Sequence, residues 1–294
     1  MTRSNWFSPC SLGALGLALA LAIAPLASAQ PPGGGRGGFN AGPDPRVEQR
    51  SYHFEDTDEE LAYALFVSSK VSKDEEAPLI VALHGMGGDG NSLLRGRSLE
   101  LAEEGGYILV GPLGYNPVGW FGSPVIVMGG RGARGGGQGA DAPAAPAGPD
   151  PETLARLSEK DVMNVMGMIR DEFTVDEDRT FLMGHSMGGA GALFLGQKYV
   201  DDWAAVAAIA PAAFMMQRDA AAILTPMKDN GVPVMIVQGD ADTVVPPENT
   251  RAWAEALESL DMEHEYIEFP GGDHGSVIND GMPGIFEYFE AHAR

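Results

Sequence analysis

From Arg50 onward, short apolar runs of strand length alternate with longer stretches whose apolar residues recur every three or four positions. The first pattern suits strands and the second suits helices that bury one face. Strands are predicted at 51–55, 61–67, 79–83, 107–110, 180–183, 204–209, 234–238 and 265–269, and helices at 92–104, 151–173, 187–199, 215–229, 247–260 and 282–293. The first two strands follow one another directly; after them strand and helix alternate to the end. That order predicts an α/β fold: an antiparallel entry hairpin, then a mostly parallel eight-stranded sheet with helices on both faces.

The ends of this pattern carry a different signal. Residues 1–29 combine Arg3, an apolar run over 12–24 and an Ala27-Ser28-Ala29 cleavage motif, which reads as an export signal cut after Ala29. The run is shorter than the roughly 20 apolar residues that span a bilayer, and Pro25 interrupts it. Cys10, the only cysteine, precedes that run and so is not a lipid-modified residue after a cleavage site. A secreted or periplasmic protein is expected, with no membrane partner once the signal is removed. Residues 30–48 are rich in Pro and Gly and read as a flexible linker, leaving 49–294 as the folded domain. Within it, 129–149 is a low-complexity Gly/Ala/Pro insertion.

Composition narrows the function. The formal net charge is −22, which argues against nucleic acid or anionic membranes as partners. The Gly-Arg-Gly-Ala-Arg-Gly-Gly stretch inside the insertion resembles RGG-type nucleic-acid tracts, but its two arginines are set in an acidic chain. Without cysteines after the signal, disulfides, thiol catalysis and thiolate metal sites are excluded. No His/Asp/Glu cluster has metal-ligand spacing, so neither a catalytic metal nor a cofactor is expected. Oligomeric state is not specified.

The chemistry concentrates where apolar runs end. Phe181-Leu182-Met183 leads into Gly184-His185-Ser186-Met187-Gly188-Gly189 and then a helix-forming stretch. Small residues two before and two after Ser186 permit a sharp strand–turn–helix elbow with the hydroxyl at its apex; taken alone, the pattern also fits an ordinary glycine turn. A serine hydroxyl needs a base to take its proton and a carboxylate to orient that base. Asp242 follows the 234–238 strand and His274 follows the 265–269 strand, both at ends where open α/β sheets collect active sites. Asp240 competes with Asp242, but its position closer to the strand suggests bonding of loop amides. His185 is expected to point away from the serine's side of the elbow, and His84 to brace its loop.

Leu83-His84-Gly85-Met86-Gly87-Gly88 follows the third strand, and the amides of Met86 and Met187 are the predicted oxyanion donors. That glycine loop lacks the endings of a P-loop or a dinucleotide-binding turn. Trp120 and Phe121, on a glycine-rich loop, either line a substrate pocket or anchor the loop to the sheet edge; Phe214 has the same two readings. No long helical insertion forms a cap, which implies an open site.

With those residues in order, the chain resembles the α/β-hydrolases, and among them the secreted polyhydroxybutyrate-depolymerase and feruloyl-esterase-like serine esterases. The resemblance covers about 51–294 and rests on LHGMGG (83–88), DEDRTFLMGHSMGGAGA (176–192), AAVAAIAP (204–211), GDADTVVP (239–246) and GGDHG (271–275). It implies a Ser186–His274–Asp242 triad that hydrolyses carboxylic esters through an acyl-enzyme. Polymer-degrading members often carry disulfides and an additional substrate-binding domain, neither of which this sequence shows; the expected partner is a small-molecule or polymeric ester. The rival activities are a peptidase or acyltransferase on the same triad, and from another class a non-catalytic hydrolase-fold binding protein. N-terminal sequencing of the exported protein should begin at Gln30, and a chain that retains Met1 would contradict the cleavage site.

Overall fold

The structure is a computed structural model that describes residues 42–72, 74–125, 150–216 and 219–294. The expected signal (1–29), most of the linker (30–48) and the insertion (129–149) lie outside the described residues. The linker's last residues are described, and they correct its boundary. Val47 is already buried and Glu48 opens the first strand.

All eight expected strands form one sheet: β1 (Glu48–Phe54), β2 (Glu59–Val67), β3 (Ala77–Leu83), β4 (Ile108–Pro112), β5 (Val175–His185), β6 (Ala205–Ile209), β7 (Val234–Gly239) and β8 (His264–Phe269). Their spatial order is β1-β2-β4-β3-β5-β6-β7-β8. The β1/β2 and β2/β4 pairs are antiparallel and every other pair is parallel. β3, β4, β6 and β7 are buried at every position, which is why they read as unbroken apolar runs rather than alternating ones. β5 is longer than its apolar core. Its start, Val175 and Asp176, pairs with Ala77 and Pro78 before an irregularity at Pro78/Leu79, a segment too polar for hydrophobicity to mark as strand.

Helices cover both faces. α1 (Arg97–Gly105) and α6 (Ser276–Ala291) pack on one side, with Leu99, Ala102, Ile285 and Phe289 turned into the sheet. α2 (Pro151–Glu172), α3 (Met187–Lys198), α4 (Ala220–Asp229) and α5 (Pro247–Ser259) pack on the other, burying Val165, Leu193, Met227 and Trp253 among others. Among the described residues no helix is long and apolar enough to cross a membrane.

Three helix starts differ from expectation, each for a local reason. α1 begins at Arg97 rather than 92 because Gly96 sits at φ 54°, ψ −127°, outside helical space. α4 begins at Ala220, where Asp219 caps it by accepting the Ala222 N–H at 2.7 Å. α6 starts at Ser276 rather than 282 because the Asp273 carboxylate accepts the Gly275 and Ser276 N–H groups. Gly281 and Pro283 inside α6 had hidden its first turns from a propensity reading.

The buried ring of Phe181 on β5 stacks on Phe289 of α6, centroids 4.6 Å apart and planes within 9°. Phe181→Ala should therefore cost about 3–5 kcal/mol of unfolding free energy. Urea denaturation measures it; a loss below about 1 kcal/mol would show that this face closes over the cavity without penalty.

Candidate active site

Ser186 stands between β5 and α3 with φ 56° and ψ −115°, a left-handed conformation rarely adopted by a residue bearing a side chain. Its backbone is held on both sides. The N–H donates to Ile209 O at 2.8 Å, and its carbonyl accepts from Ala190 N and Ala212 N. The flanking glycines are obligatory on steric grounds. A Cβ on Gly184 would lie 2.0 Å from Gly188 O, and one on Gly188 would lie 2.2 Å from Leu83 O. The serine thus projects beyond the sheet, beside the first amides of α3, which have no carbonyl a turn earlier to bond.

Two further loops meet at this sheet end. Asp242 follows β7, and its inaccessible carboxylate accepts from Val244 N at 2.8 Å, Val245 N at 2.9 Å and His274 Nδ1 at 2.7 Å. Gln238 adds a longer contact at 3.3 Å and is itself fixed by Val245 O and the Thr250 hydroxyl. The Asp242 bond makes His274 Nδ1 the protonated nitrogen and leaves Nε2 available as a base. Asp240 lies exposed on the same loop, with Oδ1 accepting the Gly271 N–H at 2.6 Å. The two loops are stitched together by Ala241 N to Gly272 O, and a Cβ on Gly239 would lie 2.2 Å from that same carbonyl.

His185 corrects an expectation. Its ring does not leave the site: Nε2 donates to His274 O at 2.8 Å, and the two imidazoles lie 4.6 Å apart. A buried imidazole needs a partner for its N–H, and the His274 carbonyl is what this elbow presents. Burial, reinforced by the neighbouring His274, lowers the His185 pKa to about 3. It is therefore neutral at ordinary pH, with its proton on Nε2. Neither His185 nor Gln238 has a spacing that reveals its partner, so only the folded loops identify them.

The loop after β3 passes directly over the elbow. A Cβ on Gly85 would sit 3.1 Å from His185 Nδ1 and 3.5 Å from Ser186 Cβ. Among the described residues the Met86 N–H has no acceptor, and Met187 N–H is the first of α3. His84 braces the loop, with Nδ1 2.8 Å from Gly85 O and Nε2 2.9 Å from Leu113 O. Gly87 N donates to Pro117 O at 2.8 Å, tying it to the 113–122 segment.

That segment settles the role of its aromatic pair. Phe121 is 1% exposed, fills the space beside Gly191 and meets the His84 ring edge-on at 5.1 Å. It is an anchor under the glycine loop and cannot touch substrate, which corrects its assignment as a binding residue. Trp120 is half-buried against the core and lies outside the cleft around Ser186. Phe214 is exposed, but it faces a separate hollow beside Trp253 of α5. Neither is among the described residues that line the serine's cleft.

The cleft itself has a volume of about 600 Å³ and brings together Ser186, His274, His185, Met86 and Arg95. Among the described residues Ser186 Oγ and His274 Nε2 share no hydrogen bond; such contacts commonly tighten only around bound substrate. No group of three or more His, Cys, Asp or Glu among the described residues is arranged to hold a metal ion.

The His185 shift has a testable consequence. An unfolded imidazole titrates near 6.5 and this folded one near 3, so between those values the unfolded chain holds the extra proton. Stability is then lost as pH falls through that window, by about 1.4 kcal/mol per pH unit from this group. His185→Asn should make the acid limb of urea-derived stability shallower, and an unchanged slope would mean that the imidazole is not buried neutral.

A family model described as a putative esterase matches residues 144–279, the segment holding Ser186, Asp242 and His274. None of the curated proteins matches the chain. Among solved structures, a thermostable esterase is similar at TM-score 0.60 and 21% identity, over 85% of this chain and 64% of that one. The chain thus spans less than two thirds of that esterase. A ferulic acid esterase from Anaeromyces mucronatus, solved with ferulic acid, is similar at TM-score 0.62 and 18% identity, covering 84% and 90% of the two chains. An S-formylglutathione hydrolase from Agrobacterium tumefaciens is similar at 0.62 and 17%, covering 84% and 95%. The sheet order and the solved structures agree on the fold, and the family match adds a likeness to esterases over 144–279.

Proposed function

We propose that the protein is an exported serine esterase that cleaves carboxylic esters through Ser186, His274 and Asp242. The observation that carries this reading is the 2.7 Å His274 Nδ1–Asp242 contact, set in loops that open onto the same cleft as the Ser186 elbow.

In this mechanism His274 Nε2 takes the hydroxyl proton as Ser186 Oγ bonds to the ester carbonyl carbon. Negative charge then develops on the carbonyl oxygen, where the Met86 and Met187 amides donate to it. One such donor typically contributes about 3 kcal/mol in the transition state. Asp242 holds the imidazolium that forms, and collapse of the intermediate passes its proton to the departing alkoxide. The acyl group remains on Ser186. Water then attacks it, His274 again takes the proton, and the carboxylic acid leaves with the serine restored.

Two structurally similar proteins are a ferulic acid esterase and an S-formylglutathione hydrolase. An acyl group on oxygen suits the same steps here, whether the ester is small or part of a polymer. Export rests on the Arg3, 12–24 and Ala27–Ala29 pattern.

A fluorophosphonate probe should label the purified protein on Ser186, and Ser186→Ala should abolish labelling. Asp242→Asn should lower kcat on a p-nitrophenyl ester by roughly ten-thousandfold, the scale of losing the triad's orienting acid. Labelling that survives Ser186→Ala would refute the assignment.

A further inference from the structure

The cleft wall carries a cation that the ester chemistry does not use. Arg95 is half-buried and lines the same cleft as Ser186 and His274. It is the one Lys or Arg in that wall among the described residues. Its Nε donates to Asn91 O at 3.1 Å, and no carboxylate lies within ion-pairing distance among the described residues. A guanidinium has five N–H donors, so the four on Nη1 and Nη2 remain unclaimed.

This is unusual for the chain. Acidic residues outnumber basic ones by 41 to 19. Every other described arginine has a carboxylate within 4.0 Å, except the C-terminal Arg294, which donates to three backbone carbonyls. Half-buried cations are ordinarily paired, because partial desolvation without a counter-charge is costly. Here the chain has carboxylates in excess and places none on Arg95.

The side chain is also held in place. Asn91, whose carbonyl takes the Arg95 Nε proton, exchanges two side-chain amide bonds with Gln49 of β1, at 2.7 and 2.9 Å. The Arg95 backbone N–H is received by the Ser98 hydroxyl at the start of α1. Asp89 shares the cleft wall, but its Oδ1 is turned into its own loop, accepting the Asn91 N–H at 2.9 Å. A planar fork held by one nitrogen, on a residue that lines the cleft, is suited to bidentate recognition of a carboxylate.

We infer that Arg95 is a specificity residue, and that the preferred substrates are esters carrying a second, ionised carboxylate, which the guanidinium receives while the ester carbonyl lies at Ser186. The inference rests on the esterase reading above and names its substrate class.

The test compares p-nitrophenyl hemiglutarate with the neutral p-nitrophenyl valerate of matched chain length, on wild type, Arg95→Gln and Arg95→Lys. Calorimetry with glutarate on Ser186→Ala, with and without Arg95→Gln, reads the anion site independently of turnover. The kcat/KM ratio of anionic to neutral ester should exceed one in the wild type and fall roughly 10- to 100-fold in Arg95→Gln, the scale of a lost charge-assisted bond pair. Arg95→Lys should recover part of the ratio, and 0.5 M salt should reduce it. Equal loss on both esters, or a ratio that Arg95→Gln leaves unchanged, would overturn the inference while ester hydrolysis stands. If neither ester is cleaved yet glutarate binds in an Arg95-dependent way, the esterase reading fails and the anion site stands. If neither ester is cleaved and glutarate does not bind, both fall.

Discussion

The site depends on one close approach of backbone to backbone. At the end of β5 the chain passes so near α3 that a Cβ on Gly184 would lie 2.0 Å from Gly188 O, while Gly188 faces Leu83 O of β3 at 2.2 Å. Only glycine leaves room at either place. With both in position, the Ser186 elbow and the loop after β3 come into contact, and Gly85 lies against Ser186. The left-handed backbone of Ser186 is the local cost of that arrangement, met by the three hydrogen bonds its amide and carbonyl make. A larger residue would push the loop off the elbow and separate the predicted oxyanion donors from the carbonyl they serve.

The second half of the site is assembled by polar bonds between loops rather than by packing against the elbow. β7 and β8 are adjacent, so the loops beyond them are neighbours from the start. Asp240, Ala241 and Gly239 then lock the two together. The Asp242 carboxylate has no access to solvent, and two backbone amides, Gln238 and His274 offset its desolvation. His185 ties this unit to the elbow from the other side by donating to the His274 backbone. His274 is thus held through its ring by Asp242 and through its carbonyl by His185, the residue next to Ser186.

Charge is distributed unevenly across these parts. Most described arginines are bound to surface carboxylates, which leaves the exterior acidic and the cleft wall with one uncommitted guanidinium. The 113–122 loop supports the cleft from beneath: Phe121 carries His84, and His84 carries the glycine loop. In that arrangement aromatic bulk serves the position of backbone amides rather than contact with a substrate.

The sequence by itself determined the eight strands, their mainly parallel order and the strand ends that bear Ser186, Asp242, His274 and the glycine loop. These follow from short-range physics: burial on both faces makes unbroken apolar runs, and elbows require small residues at fixed offsets. Helix starts such as Ser276 were hidden because a cap from Asp273 outweighed the poor propensities of Gly281 and Pro283. Tertiary structure alone decided where side chains point. Whether Phe121 faced a cleft or the core, whether His185 turned toward His274, and whether Arg95 found a carboxylate all depend on segments far apart in the chain meeting in space. Residue type and spacing carry no record of such meetings, because the partners are chosen by packing and by the need to satisfy buried polar groups.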